Sequence, residues 1–256
     1  MFRTMLTGLF IILSMCTQFS LSACPSDLTE VAAGICMLAI PHEGTYCEAH
    51  AFCETEGQAR GLRLILPGRN APLIPSIVPF TSIVFTGTSA LLNQSTNLRE
   101  GWRYGDPGWS WYTTSANDTS ILWSDVEPNL FQASVALYFQ HRLCDDFQLS
   151  FQSTHVVCEM STYQLNGSME VFKRNWPYPI SSMFLSNSHS VGCFDFVAET
   201  AMVACAFRCK CRIVCRSFYH NAEAGLCGLS LYVDSLLPAN MSNITGTWMR
   251  FGRPNG

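Results

Sequence analysis

Charge is scarce in this chain. Only 13% of its 256 residues are charged, 15 basic against 19 acidic, and no block of like charges occurs. A protein that neutralises phosphates needs a dense basic patch, so nucleic acid is not an expected partner. Apolar runs are short: Met5 to Cys16 falls below the roughly 20 residues a membrane helix requires, and no later stretch approaches that length. Enzyme signatures are missing too, with no Gly-x-Ser-x-Gly elbow, no His-Glu-x-x-His and no phosphate loop. Triad residues need not be adjacent in sequence, but nothing here points to catalysis, and no enzyme activity is expected.

Cysteine, by contrast, is abundant. Arg3, the apolar run to Cys16, polar Thr17 and Gln18, and small residues Ser20, Ser22 and Ala23 have the layout of a secretory signal over residues 1–23. Leu21-Ser22-Ala23-Cys24 also suits lipid attachment to Cys24, but the cysteines and sequons favour the secretory route. The mature chain is then expected to be secreted and extracellular. Of the 13 cysteines, Cys16 lies in that signal, and the other twelve form two groups of six. Cys24, Cys36, Cys47, Cys53, Cys144 and Cys158 make the first, and Cys193, Cys205, Cys209, Cys211, Cys215 and Cys227 the second. An even count in each implies two separate disulfide frameworks in an oxidising compartment. Asn-x-Ser/Thr sequons at Asn93, Asn117, Asn166, Asn240 and Asn243 fit the same compartment.

Local patterns give the elements of the first unit. Thr45 caps a helix with Glu48 as its capping-box partner, Tyr46, Ala49, Phe52 and Cys53 fall on one face, and Gly57 ends it. Leu62 to Leu66 and Ser82 to Phe85 read as short strands on either side of the Pro-rich stretch Pro67 to Pro79. A loop-rich zone follows from Gly87 to Asn129, and Ser134 to Phe139 and His155 to Cys158 read as closing strands.

The order Cys36, Thr45-Tyr46, Glu48-Ala49, Phe52-Cys53, Gly57, Trp109, Trp111, Trp123, Glu127-Pro128-Asn129, Asp145-Asp146 and Val156-Val157-Cys158-Glu159 resembles the C-type lectin-like domain. The resemblance covers residues 24–160 and implies an α+β fold with two helices, two small antiparallel sheets and a long loop region. It implies disulfides Cys24–Cys36 and Cys53–Cys158. The family's second bridge is missing at Val135 to Leu137 and Leu149, which leaves Cys47 and Cys144, expected to pair with each other.

The resemblance also implies a calcium site. A calcium ion takes six to eight oxygens, and a protein that supplies fewer leaves room for two sugar hydroxyls. Glu127 and Asn129, on either side of Pro128 in an expected cis bond, would each give an oxygen to the ion and a hydrogen bond to the sugar. In the family this order goes with mannose-type sugars. Asp145 and Asp146 stand where the family has a further ligand pair, so Glu127, Asn129, Asp145 and Asp146 are the expected metal and carbohydrate ligands. Asp145 replaces an asparagine, the preceding tryptophan is lost, and no acid lies between Leu130 and Ala136. Trp102, Trp109, Trp111 and Trp123 are expected in the core. His141 and His155 have no ligand-spaced partners.

Residues 161–180 are polar and Pro-containing and are read as a linker. Beyond them, over 181–256, Cys205-x3-Cys209-x5-Cys215-Arg-Ser-Phe218-Tyr219 and Cys227-Gly-Leu229 resemble the PAN or apple module. That resemblance implies a small disulfide-rich α+β domain with Cys209–Cys215 and Cys205–Cys227, leaving Cys193 and Cys211 as a pair. A metal site on Cys209, Cys211 and Cys215 would need a reducing compartment. Arg208, Lys210, Arg212 and Arg216 form the one basic cluster, either a site for an acidic partner or a solvated helix face.

The expected function is a secreted carbohydrate-recognition protein that binds a mannose-type glycan through calcium. The alternative is a calcium-independent protein-binding adhesion module on the same fold. Its partners would be glycans, glycoproteins or other extracellular proteins.

Overall fold

The structure, a computed structural model, describes residues 24–93, 95–109, 111–163 and 170–254. The expected signal segment and the Asn166 sequon lie outside the described residues. In chain order the first unit comprises β1 (Thr29–Ala32), β2 (Ile35–Gly44), α1 (Tyr46–Arg60), β3 (Leu64–Ile65), a 3-10 turn over Ala71–Ser76, β4 (Ile83–Ser89), β5 (Arg103–Tyr104), β6 (Val135–Phe139), β7 (Arg142–Asp146) and β8 (Ser153–Met160). The second comprises β9 (Lys173–Arg174), β10 (Phe194–Ala198), α2 (Met202–Cys211), β11 (Cys215–Asn221), β12 (Leu226–Leu231), a 3-10 turn over Ala239–Asn243 and β13 (Trp248–Gly252).

All sheets are antiparallel. The first unit has two four-stranded sheets, ordered β1-β2-β8-β3 and β5-β4-β6-β7, and the second has one five-stranded sheet, ordered β10-β12-β11-β13-β9. Among the described residues the first unit carries one α-helix rather than two, and the Pro-rich stretch supplies only the 3-10 turn, because Pro72 and Pro75 remove the N–H donors a longer helix needs. Lys173 and Arg174 pair with Phe251 and Gly252, so the second unit begins inside the stretch read as a linker.

Local sequence starts α1 as expected. Thr45 Oγ1 accepts the Glu48 N–H at 3.4 Å and Glu48 Oε2 accepts the Thr45 N–H at 2.8 Å, a reciprocal cap that stabilises the helix by about 1 kcal/mol. The helix does not stop at Gly57. It runs to Arg60 and closes on Gly61, whose φ of 65° suits glycine. Gly57 serves close packing instead: a Cβ there would lie 2.8 Å from Leu62 O and 2.9 Å from Leu64 N, so glycine lets the helix approach β3.

Among the described residues five disulfides are present: Cys24–Cys36, Cys53–Cys158, Cys205–Cys227, Cys209–Cys215 and Cys47–Cys193. The last corrects two expected pairs. Cys47 is not bonded to Cys144, nor Cys193 to Cys211. Cys47 sits on the first turn of α1 against the Gly192–Cys193 segment, whereas Cys144 lies within β7 beside Glu127. Cys205 and Cys209, one turn apart, face inward, and Cys211, rotated about 200° from Cys209, is exposed. Cys144 and Cys211 are free thiols, and the two cysteine groups share a bridge.

The two units therefore form a continuous body. One cluster of buried side chains runs from Tyr46, Phe85 and Leu137 to Leu231, Val233 and Leu236. Gln148, 2% exposed, clasps the junction: its Oε1 accepts the N–H groups of Val191 and Gly192, both at 2.8 Å, and its Nε2 donates to Gly192 O at 3.1 Å.

Candidate functional site

The Glu127-Pro128 peptide is cis, at the end of the long loop region. The loop leads back over the β6–β7 hairpin, where Asp145 faces Ala136 and Asp146 faces Val135. Asp145 is 3% exposed, and its carboxylate holds the loop: Oδ1 accepts the Asn129 N–H at 2.9 Å and Oδ2 the Leu130 N–H at 3.1 Å. Glu127 lies against the same carboxylate. Its Oε2 is buried and has no hydrogen-bond partner, while its carbonyl oxygen accepts from Arg99 at 3.2 Å. Burial first, then the neighbouring Asp145 carboxylate, push the Glu127 carboxyl up to about 7.

Asp146 is not brought into this group. Neighbouring strand residues point to opposite faces, and along β7 Leu143 and Asp145 are buried while Arg142, Cys144 and Asp146 are more open. The Asp146 Oδ1 accepts the Phe147 N–H at 2.7 Å, its side chain also takes Ser150, and its carbonyl oxygen accepts the Ser134 N–H at 2.9 Å. Burial raises the Cys144 thiol to about 11, reinforced by the charge of Glu127.

These residues do not fit a calcium ion with six to eight oxygen ligands. Both Asp145 oxygens already take backbone N–H groups and the Asp146 carboxylate and carbonyl are engaged elsewhere, which leaves the Glu127 carboxylate and the exposed Asn129 amide of the four expected ligands. Among the described residues no group of three or more His, Cys, Asp or Glu side chains is placed to hold a metal ion.

The tryptophans divide. Trp102 is buried and meets Trp123 edge-on at 4.7 Å between ring centroids. Trp109 is half-buried, with the Arg69 guanidinium 3.6 Å over its ring. Trp111 is a correction: it is 58% exposed and stacks on Trp109, because its loop lies outside the sheets. The basic cluster also divides. Arg208 and Lys210 are exposed on the last turns of α2, but Arg216 is 5% exposed on β11. His155 Nδ1 meets Ser82 Oγ at 3.1 Å and His141 Nε2 meets Val78 O at 3.1 Å, so both histidines serve loop contacts.

A groove of about 550 Å³ that sequence reading missed runs between the first unit's loops and the Tyr178–Ser186 segment of the second. Phe131, Gln132, Asn93, Tyr178 and Phe184 line it with several serines, and no charged side chain does. Phe131 is 57% exposed. Half-buried Asn93, a sequon residue, is on its rim, whereas Asn117, Asn240 and Asn243 are exposed.

No family model matches this chain, and no curated protein matches it. Solved structures do. They include C-type lectin CEL-I from Cucumaria echinata (12% identity, TM-score 0.39, covering 55% of this chain and 99% of that one). The mouse scavenger receptor C-type lectin carbohydrate-recognition domain is similar at 14% identity and TM-score 0.39, over 55% of this chain and 99% of that one. So is herring type II antifreeze protein, at 14% identity and TM-score 0.39, over 55% and 100%.

Proposed function

We propose that this chain is an extracellular, disulfide-stapled recognition protein whose first unit, C-type lectin-like by its motifs, binds a protein partner without calcium. The observation that carries this reading is the Asp145 carboxylate, which closes the loop of Glu127, Pro128 and Asn129 by accepting the Asn129 and Leu130 N–H groups. A loop closed by its own hydrogen bonds needs no ion to order it. The uncharged, aromatic groove suits a peptide segment better than an ionic ligand: aromatic side chains are enriched and charged ones depleted at the core of protein-binding surfaces. The second unit, read as PAN-like, extends that surface through Tyr178 and Phe184. Five disulfides, and the absence of any helix among the described residues long and apolar enough to cross a membrane, accord with an exported protein.

The second reading, a mannose-type glycan held through calcium, is favoured by the Glu127-Pro128-Asn129 order and the cis bond. Thermal unfolding with millimolar calcium or chelator separates the two. The proposal expects one midpoint in both, and a calcium-dependent rise of several degrees overturns it. Glycan-array binding that is lost with chelator, or with Glu127→Gln plus Asn129→Asp, would establish the second reading instead.

A further inference from the structure

We propose that the junction between the two units binds one small inorganic anion of halide size, between Arg63 and Arg216 beside His50. Four guanidiniums gather there, Arg63, Arg103, Arg216 and Arg253, near enough to act on one another's charge, and a fifth, Arg250, joins them through Asp234. Two carboxylates pair with them directly, and Asp234 and Asp106 also act on Arg216 through their charge. Asp234 takes Arg103 at 3.2 Å and Arg250 at 2.6 Å, and Glu170 takes Arg253 at 2.8 Å. Arginine keeps its proton inside proteins, so the surplus of positive charge persists at any physiological pH.

Arg63 and Arg216 carry no ion pair among the described residues. Arg63 Nε and Nη1 are buried without a hydrogen-bond partner, and Arg216 is 95% buried by its 5% exposure. Both arginines line a narrow cavity of about 20 Å³ walled by Leu66, Val214 and Tyr232. His50, 5% exposed, lines it too, and its Nε2 is buried without a partner. Buried donors left unpaired are costly, and buried charges more so. Among the described residues Glu54 is the one carboxylate on the wall. Its Oε2 accepts the Tyr232 hydroxyl at 2.7 Å, and it stands beyond 4 Å of both arginines.

The cavity has room for a single water-sized particle. A water would satisfy some donors but bring no charge. A halide ion accepts from several N–H groups at once and carries the missing negative charge, whereas sulfate or phosphate exceeds the space. Since Arg63 and His50 come from the first unit and Arg216 and Tyr232 from the second, such an ion would also bind the units together.

The full chain, crystallised and soaked in bromide, is expected to show an anomalous peak within the cavity. In solution, replacing sodium gluconate by sodium chloride at constant ionic strength is expected to raise the melting temperature saturably, by several degrees. Arg216→Leu is expected to abolish that halide dependence. If the variant does not fold, the bromide peak in the unsubstituted protein decides. An empty or water-filled cavity in bromide-soaked crystals, with equal melting temperatures in chloride and gluconate, overturns the proposal.

Discussion

Cys47 and Cys193 are separated by 146 residues in the chain and by 5.5 Å between their Cα atoms, and their disulfide ties the first turn of α1 to the second unit. The Gln148 clasp and the stacking of His50 on Tyr232, 5.1 Å between centroids, lie at the same junction.

The double variant Cys47→Ser/Cys193→Ser tests that tie. Cys53–Cys158 already closes most of the enclosed chain, so the bridge constrains a shorter effective loop. Its removal is expected to lower stability by about 4 kcal/mol on the chain-entropy account. Denaturant midpoints read the loss, and two transitions replacing one would show that the bridge couples the units.

Acid should weaken the junction. Asp234 is buried beneath Arg250 and Arg103, whose charges hold its carboxyl down to about 2 against desolvation. A carboxyl with a lowered folded-state value contributes stability that is complete above about pH 4 and lost as pH falls toward 2, on the order of 2 kcal/mol. His50 acts earlier. Burial, with Arg216 nearby, lowers its imidazole to about 3, so the unfolded chain binds a proton below about pH 6.5 that the folded chain refuses. In unfolding midpoints recorded from pH 8 to pH 2, the His50 contribution should decline from about pH 6.5 downward, against an opposite contribution from Glu127 and Glu159, whose raised carboxyls add stability as pH falls through about 7. Asp234→Asn should remove the steeper decline near pH 3 while lowering stability at neutral pH by about 3 kcal/mol or more.

Gly57→Ala distinguishes close packing from helix propensity. On an open helix face alanine would stabilise by about 1 kcal/mol. Here the added methyl meets backbone atoms Leu62 O and Leu64 N, so a loss of about 1–3 kcal/mol is expected. A gain in melting temperature would show that the helix and β3 can separate cheaply.

Asp145→Ala strips the acceptors from the Asn129 and Leu130 N–H groups and is expected to cost about 3 kcal/mol. Asp145→Asn keeps one acceptor and should cost roughly half as much. Hydrogen exchange at Asn129 and Leu130 reports the loop directly, and unchanged protection in the alanine variant would contradict the closed-loop account.

Much of the frame was legible because it is local. Thr45 and Glu48 cap α1 within three residues, and the strand segments around Ser82 to Phe85, Ser134 to Phe139 and His155 to Cys158 are β-prone apolar runs. Gly57 was misread because glycine serves helix ends and tight packing alike, and sequence does not say which surface will press against it. Arg216 was grouped with Arg208, Lys210 and Arg212 by proximity alone, yet the chain leaves α2 before Arg216 and enters a strand buried throughout.

By itself the sequence determined the disulfide-rich character, the cap of α1, the Glu127-Pro128-Asn129 turn and the scarcity of charge, since each depends on residue type and near neighbours. Tertiary structure alone decided that Cys47 meets Cys193, that the Asp145 carboxylate meets the Asn129 and Leu130 N–H groups, and that Arg63 and Arg216 face one cavity. Those relationships join segments tens of residues or more apart, and their geometry is fixed only when sheet pleating and the docking of the two units choose which face each side chain presents.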